Sequence, residues 1–124
     1  MVYLDTGALE LVLINLVANG IKYADRTKPS PFVAVEAEES DGHYEFRVSD
    51  NGIGIPSDAV KNVFERFVRV HAHLDEQLGV EGTGLGLAIV EECVAALSGS
   101  VAVESREGEG TTFTVRIPKA LATI

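Results

Sequence analysis

A chain of 124 residues is long enough for one domain with a core and too short for two separate ones. Hydrophobic residues make up 46% and charged residues 23%, a composition that excludes a disordered chain. Acids outnumber bases by 19 to 10, a formal net charge of −9, which argues against nucleic-acid binding and against docking on an anionic membrane, since both need a basic face. Glycine, at 12 residues, exceeds its average share of about 7%, and its placement matters more than its number. Cys93 is the single cysteine; no internal disulfide is possible, which fits a reducing cytosol, the compartment expected. No apolar run approaches the roughly 20 residues of a bilayer span, and no basic-then-apolar leader opens the sequence.

In chain order, the first element reads as a helix. Asp5 and Thr6 stand as N-caps before Ala8-Leu9-Glu10. Leu9, Val12, Leu13, Leu16 and Val17 recur at helical spacing as an apolar stripe. The pattern ends near Ala24, before a loop containing Pro29 and Pro31. Phe32 to Glu38 and Tyr44 to Asp50 read as strands joined by the turn Asp41-Gly42. In the second, Tyr44, Phe46 and Val48 alternate with Glu45, Arg47 and Ser49. Asn51-Gly52-Ile53-Gly54-Ile55-Pro56 breaks regular structure, and Ser57 or Asp58 caps a short helix through Phe67. Residues 69–83 read as irregular. A further helix runs from near Thr83-Gly84 to about Leu97 and stops at Ser98-Gly99. Two strands close the chain, Ser100 to Glu104 and Thr112 to Ile117, around the turn 106–110; Phe113, Val115 and Ile117 share a face. This order predicts an α+β layout with helices on one face of a sheet, without the βαβ alternation of a doubly wound fold.

Four features carry chemistry. On the first helix Asn15, Asn19, Lys22 and Arg26 fall within an arc of roughly 60°, with Tyr23 at its edge. That arc is either a solvated face or a place where paired amide oxygens help hold a hard cation such as Mg²⁺. Asp50 shares strand parity with Tyr44, Phe46 and Val48, so it points toward the helices. It is either a turn aspartate bonded to local backbone or a buried acceptor for a ligand N–H, with Gly52 and Gly54 allowing close backbone approach. Gly82-Thr83-Gly84-Leu85-Gly86-Leu87 runs straight into a helix, an arrangement suited to phosphate, although Gly86 also suits close packing. No Walker pattern occurs. Gly108 to Phe113 is a hairpin turn or part of a site, with Thr111 facing the helices like Phe113.

Taken together these stretches resemble the ATP-binding catalytic domain of bacterial sensor histidine kinases, of the Bergerat-fold (GHKL) group shared with gyrase, Hsp90 and MutL. Asn15 to Tyr23 is similar to the N box, Asp50 to Pro56 to the G1 box, Val63 to Val70 to the F box, Gly82 to Val90 to the G2 box, and Gly108 to Phe113 to the last glycine box. The resemblance covers nearly the whole chain as one domain, 1–124. It implies a two-layer α/β sandwich, with a mixed, mostly antiparallel sheet covered on one face by three helices. It implies that Asn19, with Asn15 nearby, ligates Mg²⁺, that Lys22 reaches the ATP phosphates and that Tyr23 lies against the nucleotide. Asp50 accepts from the adenine amino group, Gly52 and Gly54 shape the pocket, and Gly82, Gly84 and Gly86 meet the phosphates. Ile55, Phe67, Thr83, Leu85, Leu87 and Thr111 complete the implied nucleotide-binding set. The stretch from Arg69 to Glu81 corresponds to the mobile ATP lid, with Arg69 a contact to the γ-phosphate. Two departures stand out: Gly20 where alanine is usual, and Val68 where tyrosine is commoner.

Hydrolysing relatives carry a glutamate general base four residues before the metal-binding asparagine; here that position is Asn15. The resemblance therefore implies little hydrolysis and transfer of the γ-phosphoryl group to a histidine. None of His43, His71 and His73 lies in the family's helical acceptor box. The implied partners are a separate dimerisation domain bearing the acceptor histidine and the receiver domain of a response regulator. A Bergerat-fold ATPase and a non-catalytic nucleotide-binding module are the alternatives.

Overall fold

The computed structural model describes residues 6–40, 42–56 and 86–119. Helix α1 spans Thr6–Lys22 and is followed, after the proline-containing loop, by strands β1, Val33–Glu39, and β2, His43–Asp50. Helix α2, Gly86–Ala96, precedes β3, Ser100–Arg106, and β4, Gly110–Pro118. The four strands form one sheet in the order β1-β2-β4-β3. Two helices are described; the short helix expected through Phe67 lies outside the described residues, as does Val68. All three described pairings are antiparallel, in line with the mostly antiparallel sheet expected, and the described residues hold no parallel pair. The reason lies in the connections: each hairpin pairs its own strands, and β4 then inserts between β2 and β3. Those two run the same way without touching, which a helical crossover requires.

The periodicities account for the packing. Val12 and Leu16 of α1 are buried, with Leu9, Leu13 and Val17 packed beside them. From α2 come Val90, Val94 and the following Leu97; from the sheet come Val48, Phe113, Val115 and Ile117. The core thus lies between one sheet face and the two helices. The opposite face is polar. There Arg47 lies 3.2 Å from Glu36, 3.2 Å from Glu38 and 2.9 Å from Glu45.

Helix α2 closes at Ser98-Gly99, where the sequence stops it. Ser98 itself takes the left-handed conformation, φ 53°. Its N–H donates to the Ala95 carbonyl and that of Gly99 to the Val94 carbonyl, both at 2.9 Å. These two bonds satisfy carbonyls that the helix end would leave unpaired.

Phe113 is 1% exposed at the centre of this core. Phe113→Ala is expected to destabilise the fold by about 3–5 kcal/mol, read as a lowered urea midpoint. Val35→Ala, at a side chain of the β1 edge that is 51% exposed, is expected to stay within about 0.5 kcal/mol of wild type.

Candidate functional site

The end of the sheet where β2 finishes and β4 begins carries a dense polar arrangement. Asp50, the last residue of β2, pairs with Thr111 of β4. Its Oδ1 accepts the Gly52 N–H at 2.8 Å, and the Thr111 backbone N–H bonds to the carboxylate as well. The turn reading and the acceptor reading of Asp50 are therefore compatible: one oxygen closes the turn, and the residue remains half-buried at the mouth of the core. A cleft of about 620 Å³ opens here, lined by Asp50, Val103, Ser105, Gly110 and Thr111 among others. Burial pushes the Asp50 carboxyl above its ordinary 3.8; the bonds from Gly52 and Thr111 and the charge of Lys28 pull the other way and do not cancel it.

Thr111 is the one polar side chain among the described residues that is buried, at 6% exposure. Its hydroxyl lies 2.7 Å from Ser105 Oγ. Ser105 Oγ accepts the Ile55 N–H at 2.8 Å and donates to the Gly110 carbonyl at 3.0 Å. One hydroxyl on β3 thus joins β4 to the 51–56 turn. The same turn is held from two further sides: Ile53 N–H donates to the Tyr23 carbonyl at 3.1 Å, and Gly108 N–H to the Ile53 carbonyl at 2.9 Å. Such close backbone approach explains the glycines. A Cβ at Gly52 would lie 2.4 Å from the Tyr23 carbonyl oxygen, and one at Gly54, whose φ is +75°, would lie 2.1 Å from that of Arg106. The backbone that closes on both is the protein's own.

Helix α1 borders this end of the sheet. Asn15, Asn19 and Lys22 share its polar arc. Asn15 Nδ2 donates to the Leu11 carbonyl at 2.7 Å. The Lys22 ammonium sits over the Tyr23 ring, 5.6 Å from its centroid. Gly20 is buried beside Asp50: a methyl there would meet Val33 Cγ2 at 2.9 Å and Asp50 Oδ2 at 3.4 Å. The consequence of this departure is thus one of packing, since it lets Val33 lean onto the helix next to the carboxylate.

Tyr23, Asp50, Gly52, Gly54, Ile55 and Thr111 are thus tied together at one end of the sheet, while Asn15, Asn19 and Lys22 lie along the helix that leads to Tyr23. Leu87 is part-buried and packs on the core, and Gly86 begins α2. Phe67, Arg69, Gly82, Thr83, Gly84 and Leu85 lie outside the described residues. Three residues that the sequence did not single out belong to the site. Ser105 is one. Asn51 is another: it accepts the Phe32 N–H at 2.8 Å and donates to the Ser30 carbonyl at 3.1 Å, fastening the proline loop. Lys28 donates to the Asn51 carbonyl at 2.7 Å. The inward parity of Ser105 within β3 was a readable signal, and Asn51 stood inside the stretch similar to the G1 box without being singled out; the loop position of Lys28 offered none.

The donor set suits a divalent cation held mainly by its ligand. Among the described residues no group of three or more His, Cys, Asp or Glu could form an all-protein cage. The side-chain amide oxygens of Asn15 and Asn19 are hard donors of the kind Mg²⁺ takes alongside phosphate and water.

Residues 4–121 match the family described as histidine kinase-, DNA gyrase B-, and HSP90-like ATPase. The chain is 41% identical over 115 residues to the sensor-like histidine kinase SenX3 of Mycolicibacterium smegmatis, covering 93% of this chain and 29% of that protein. It is 39% identical over 117 residues to the sensor histidine kinase WalK of Bacillus subtilis, covering 94% and 19%. The chain thus spans less than a third of these relatives. Among solved structures, the mycobacterial sensor histidine kinase MprB superposes with a TM-score of 0.77 at 30% identity, covering 94% of this chain and 76% of that one. Full-length ShkA in complex with AMPPNP superposes with a TM-score of 0.77 at 34% identity, covering 94% and 22%.

Two outcomes are expected of the site without ligand. Because the folded state raises the proton affinity of Asp50, it binds more protons than the unfolded chain. Ionised Asp50 therefore subtracts stability as pH rises from about 3.8 through its folded value, and the loss is recovered on acidification. Asp50→Asn keeps an oxygen for the Gly52 N–H; it is expected to match or exceed wild-type stability at pH near 7, with the difference shrinking at pH near 3, followed by urea midpoints across that range. Ser105→Ala leaves the Ile55 N–H without its acceptor and is expected to cost about 1–3 kcal/mol in the same measurement.

Proposed function

The chain belongs to the histidine kinase-, DNA gyrase B-, and HSP90-like ATPase family, and we propose that it binds ATP with Mg²⁺ and transfers the γ-phosphoryl group to a histidine on a separate dimerisation domain, as the catalytic part of a two-component sensor histidine kinase. The observation that carries this reading is the pairing of Asp50 with Thr111 at the cleft; the arc of Asn15, Asn19 and Lys22 belongs to the helix that runs into Tyr23, whose carbonyl holds the 51–56 turn. A purine 6-amino group is an N–H donor, and a half-buried carboxylate already tied at one oxygen is the complementary acceptor. The buried Thr111 hydroxyl, set by Ser105, adds a second directional group next to it. Asn15 and Asn19 offer amide oxygens toward the metal, which when bound neutralises charge on the phosphates. Lys22, stacked over Tyr23, supplies a cation at the same helix end.

The step itself makes little demand on covalent help from the protein. An imidazole nitrogen of the partner forms a bond to the γ-phosphorus as the bond to the bridging oxygen of ADP breaks, so positioning and charge do most of the catalysis. Arg69 joins Lys22 as a proposed charge on the transferring group. Asn15 has no basic oxygen with which to take a proton from water, which favours transfer over hydrolysis. The reading extends the site to Phe67, Thr83, Leu85 and the glycines 82, 84 and 86, treats 1–124 as one catalytic domain, and names a receiver domain as the phosphoryl group's next destination. It places the domain in the cytoplasm. Among the described residues no helix is long and apolar enough to cross a membrane.

Calorimetry is expected to show Mg²⁺-dependent ATP binding by the 124-residue chain, weakened about tenfold to a hundredfold by Asp50→Asn, which offers a donor where an acceptor is needed. Mixed with the acceptor-histidine domain of its parent and γ-labelled ATP, the chain is expected to label that histidine. Binding without label would leave a nucleotide-binding module; steady-state turnover by the isolated chain would indicate an ATPase instead.

A further inference from the structure

Lys28 is unlike the other lysines and arginines described. It sits on the proline loop, outside every motif of the family resemblance, and is half-buried. Its Nζ donates to the Asn51 carbonyl at 2.7 Å and to the Glu109 carbonyl at 3.4 Å, residues 23 and 81 positions away. One ammonium thus joins three segments: the loop after α1, the turn leaving β2, and the turn between β3 and β4. The first two are also stitched by the Asn51 side chain. The second and third meet through Gly108 and Ile53. All three segments frame Asp50.

We propose that Lys28 is a positioning residue of the purine subsite: its ammonium ties the proline loop and the β3–β4 turn to the end of β2 and sets a positive charge at the residue next to Asp50, which favours the accepting carboxylate that an N–H-bearing base requires. This rests on the nucleotide reading above. The charge argument follows from the surroundings. Asp50 is desolvated, and two backbone N–H groups do not offset that. Lys28, bonded to the carbonyl of the next residue, brings a positive charge that favours the carboxylate, more weakly than burial disfavours it. Helix α1 faces the carboxylate with Gly20, which carries no charge. From the β3–β4 hairpin, Glu104, Arg106 and Glu109 line the same cleft, two acids against one base, and give Asp50 no net cationic support. A protonated Asp50 would present a donor to the base amine and lose the contact. Because Lys28 spends its hydrogen bonds on carbonyl oxygens, it supports Asp50 through space and leaves the carboxylate open to the ligand.

The test compares the affinity for Mg²⁺-ATP of the wild-type chain, Lys28→Met and Lys28→Arg at steps between pH of about 5 and 8. The ratio of variant to wild-type Kd cancels the titration of ATP itself. Lys28→Met is expected to bind more weakly by a factor that grows as pH falls, and Lys28→Arg, which keeps charge and donors, to hold the ratio near one. A loss that is equal at every pH, or no loss, would overturn the proposal, since a merely structural tie has no pH signature. A second readout needs no nucleotide: carbon-13 NMR of the Asp50 carboxyl is expected to show a midpoint moved to higher pH in Lys28→Met and restored in Lys28→Arg, and an unmoved midpoint overturns the charge role. If Lys28→Met does not fold, Lys28→Gln takes its place in both. A wild-type chain that binds no ATP at any pH defeats the nucleotide reading itself, an outcome distinct from a wild type that binds with an unaltered variant profile.

Discussion

The antiparallel register of β2 against β4 sets Val48 opposite Phe113, Phe46 opposite Val115, Tyr44 opposite Ile117 and Asp50 opposite Thr111. These residues share one parity, so a single row of cross-strand pairs runs from the hydrophobic core into the polar site. Slipping the pairing by one residue would turn Phe113, Val115 and Ile117 toward solvent and carry Asp50 away with them. Core burial therefore fixes the position of the carboxylate. The site needs no separate device to aim Asp50, only one to tolerate it at the end of the apolar row.

That tolerance is built from backbone. The carboxylate is bonded by the N–H groups of Gly52 and Thr111, and the turn supplying the first is held by Tyr23, Ser105 and Gly108. Three elements distant in sequence converge on the stretch 52–55, and their carbonyls come so near that Gly52 and Gly54 have no room for a side chain. The arrangement still leaves Asp50 harder to ionise than a free aspartate. A fold optimised for stability alone would place an apolar residue there. Retaining the acid at a cost to the unliganded state is what a binding function explains.

The sequence carried most of this frame, because periodicity reports which side chains face the core. The stripe of α1, the alternation of β2 and β4, and the inward parity of Asp50 and Thr111 all follow from spacing. Its failures have physical causes. The last turn, read as 106–110, is shorter, because β3 and β4 keep pairing up to Arg106 opposite Gly110; glycine in a strand reads as a turn although here it still pairs. The left-handed conformation of Ser98 at the end of α2 was not readable, since two helix-capping bonds reward it there. Ser105, Asn51 and Lys28 were missed because what defines them is the partner, 50, 19 and 23 residues away, and no local pattern encodes a bond across that distance.

A net charge of −9 sits oddly with a triphosphate ligand until the charges are placed. Glu36, Glu38 and Glu45 lie on the sheet face away from the helices and are engaged by Arg47, with Arg116 a further 3.7 Å from Glu45. Glu39, at the far end of β1, pairs with Lys119 at 2.7 Å. These acids count fully in the sum, yet each has a cation beside it, and salt screens exposed charges beyond about 8–10 Å. At the other end of the sheet, Lys22 caps α1 and Lys28 reaches across the turns. What a phosphate or a base meets is set by those few groups and by the backbone N–H groups around them. The sign of the whole chain governs long, repeating anions, which must lie across many such neighbourhoods; a compact ligand needs only one.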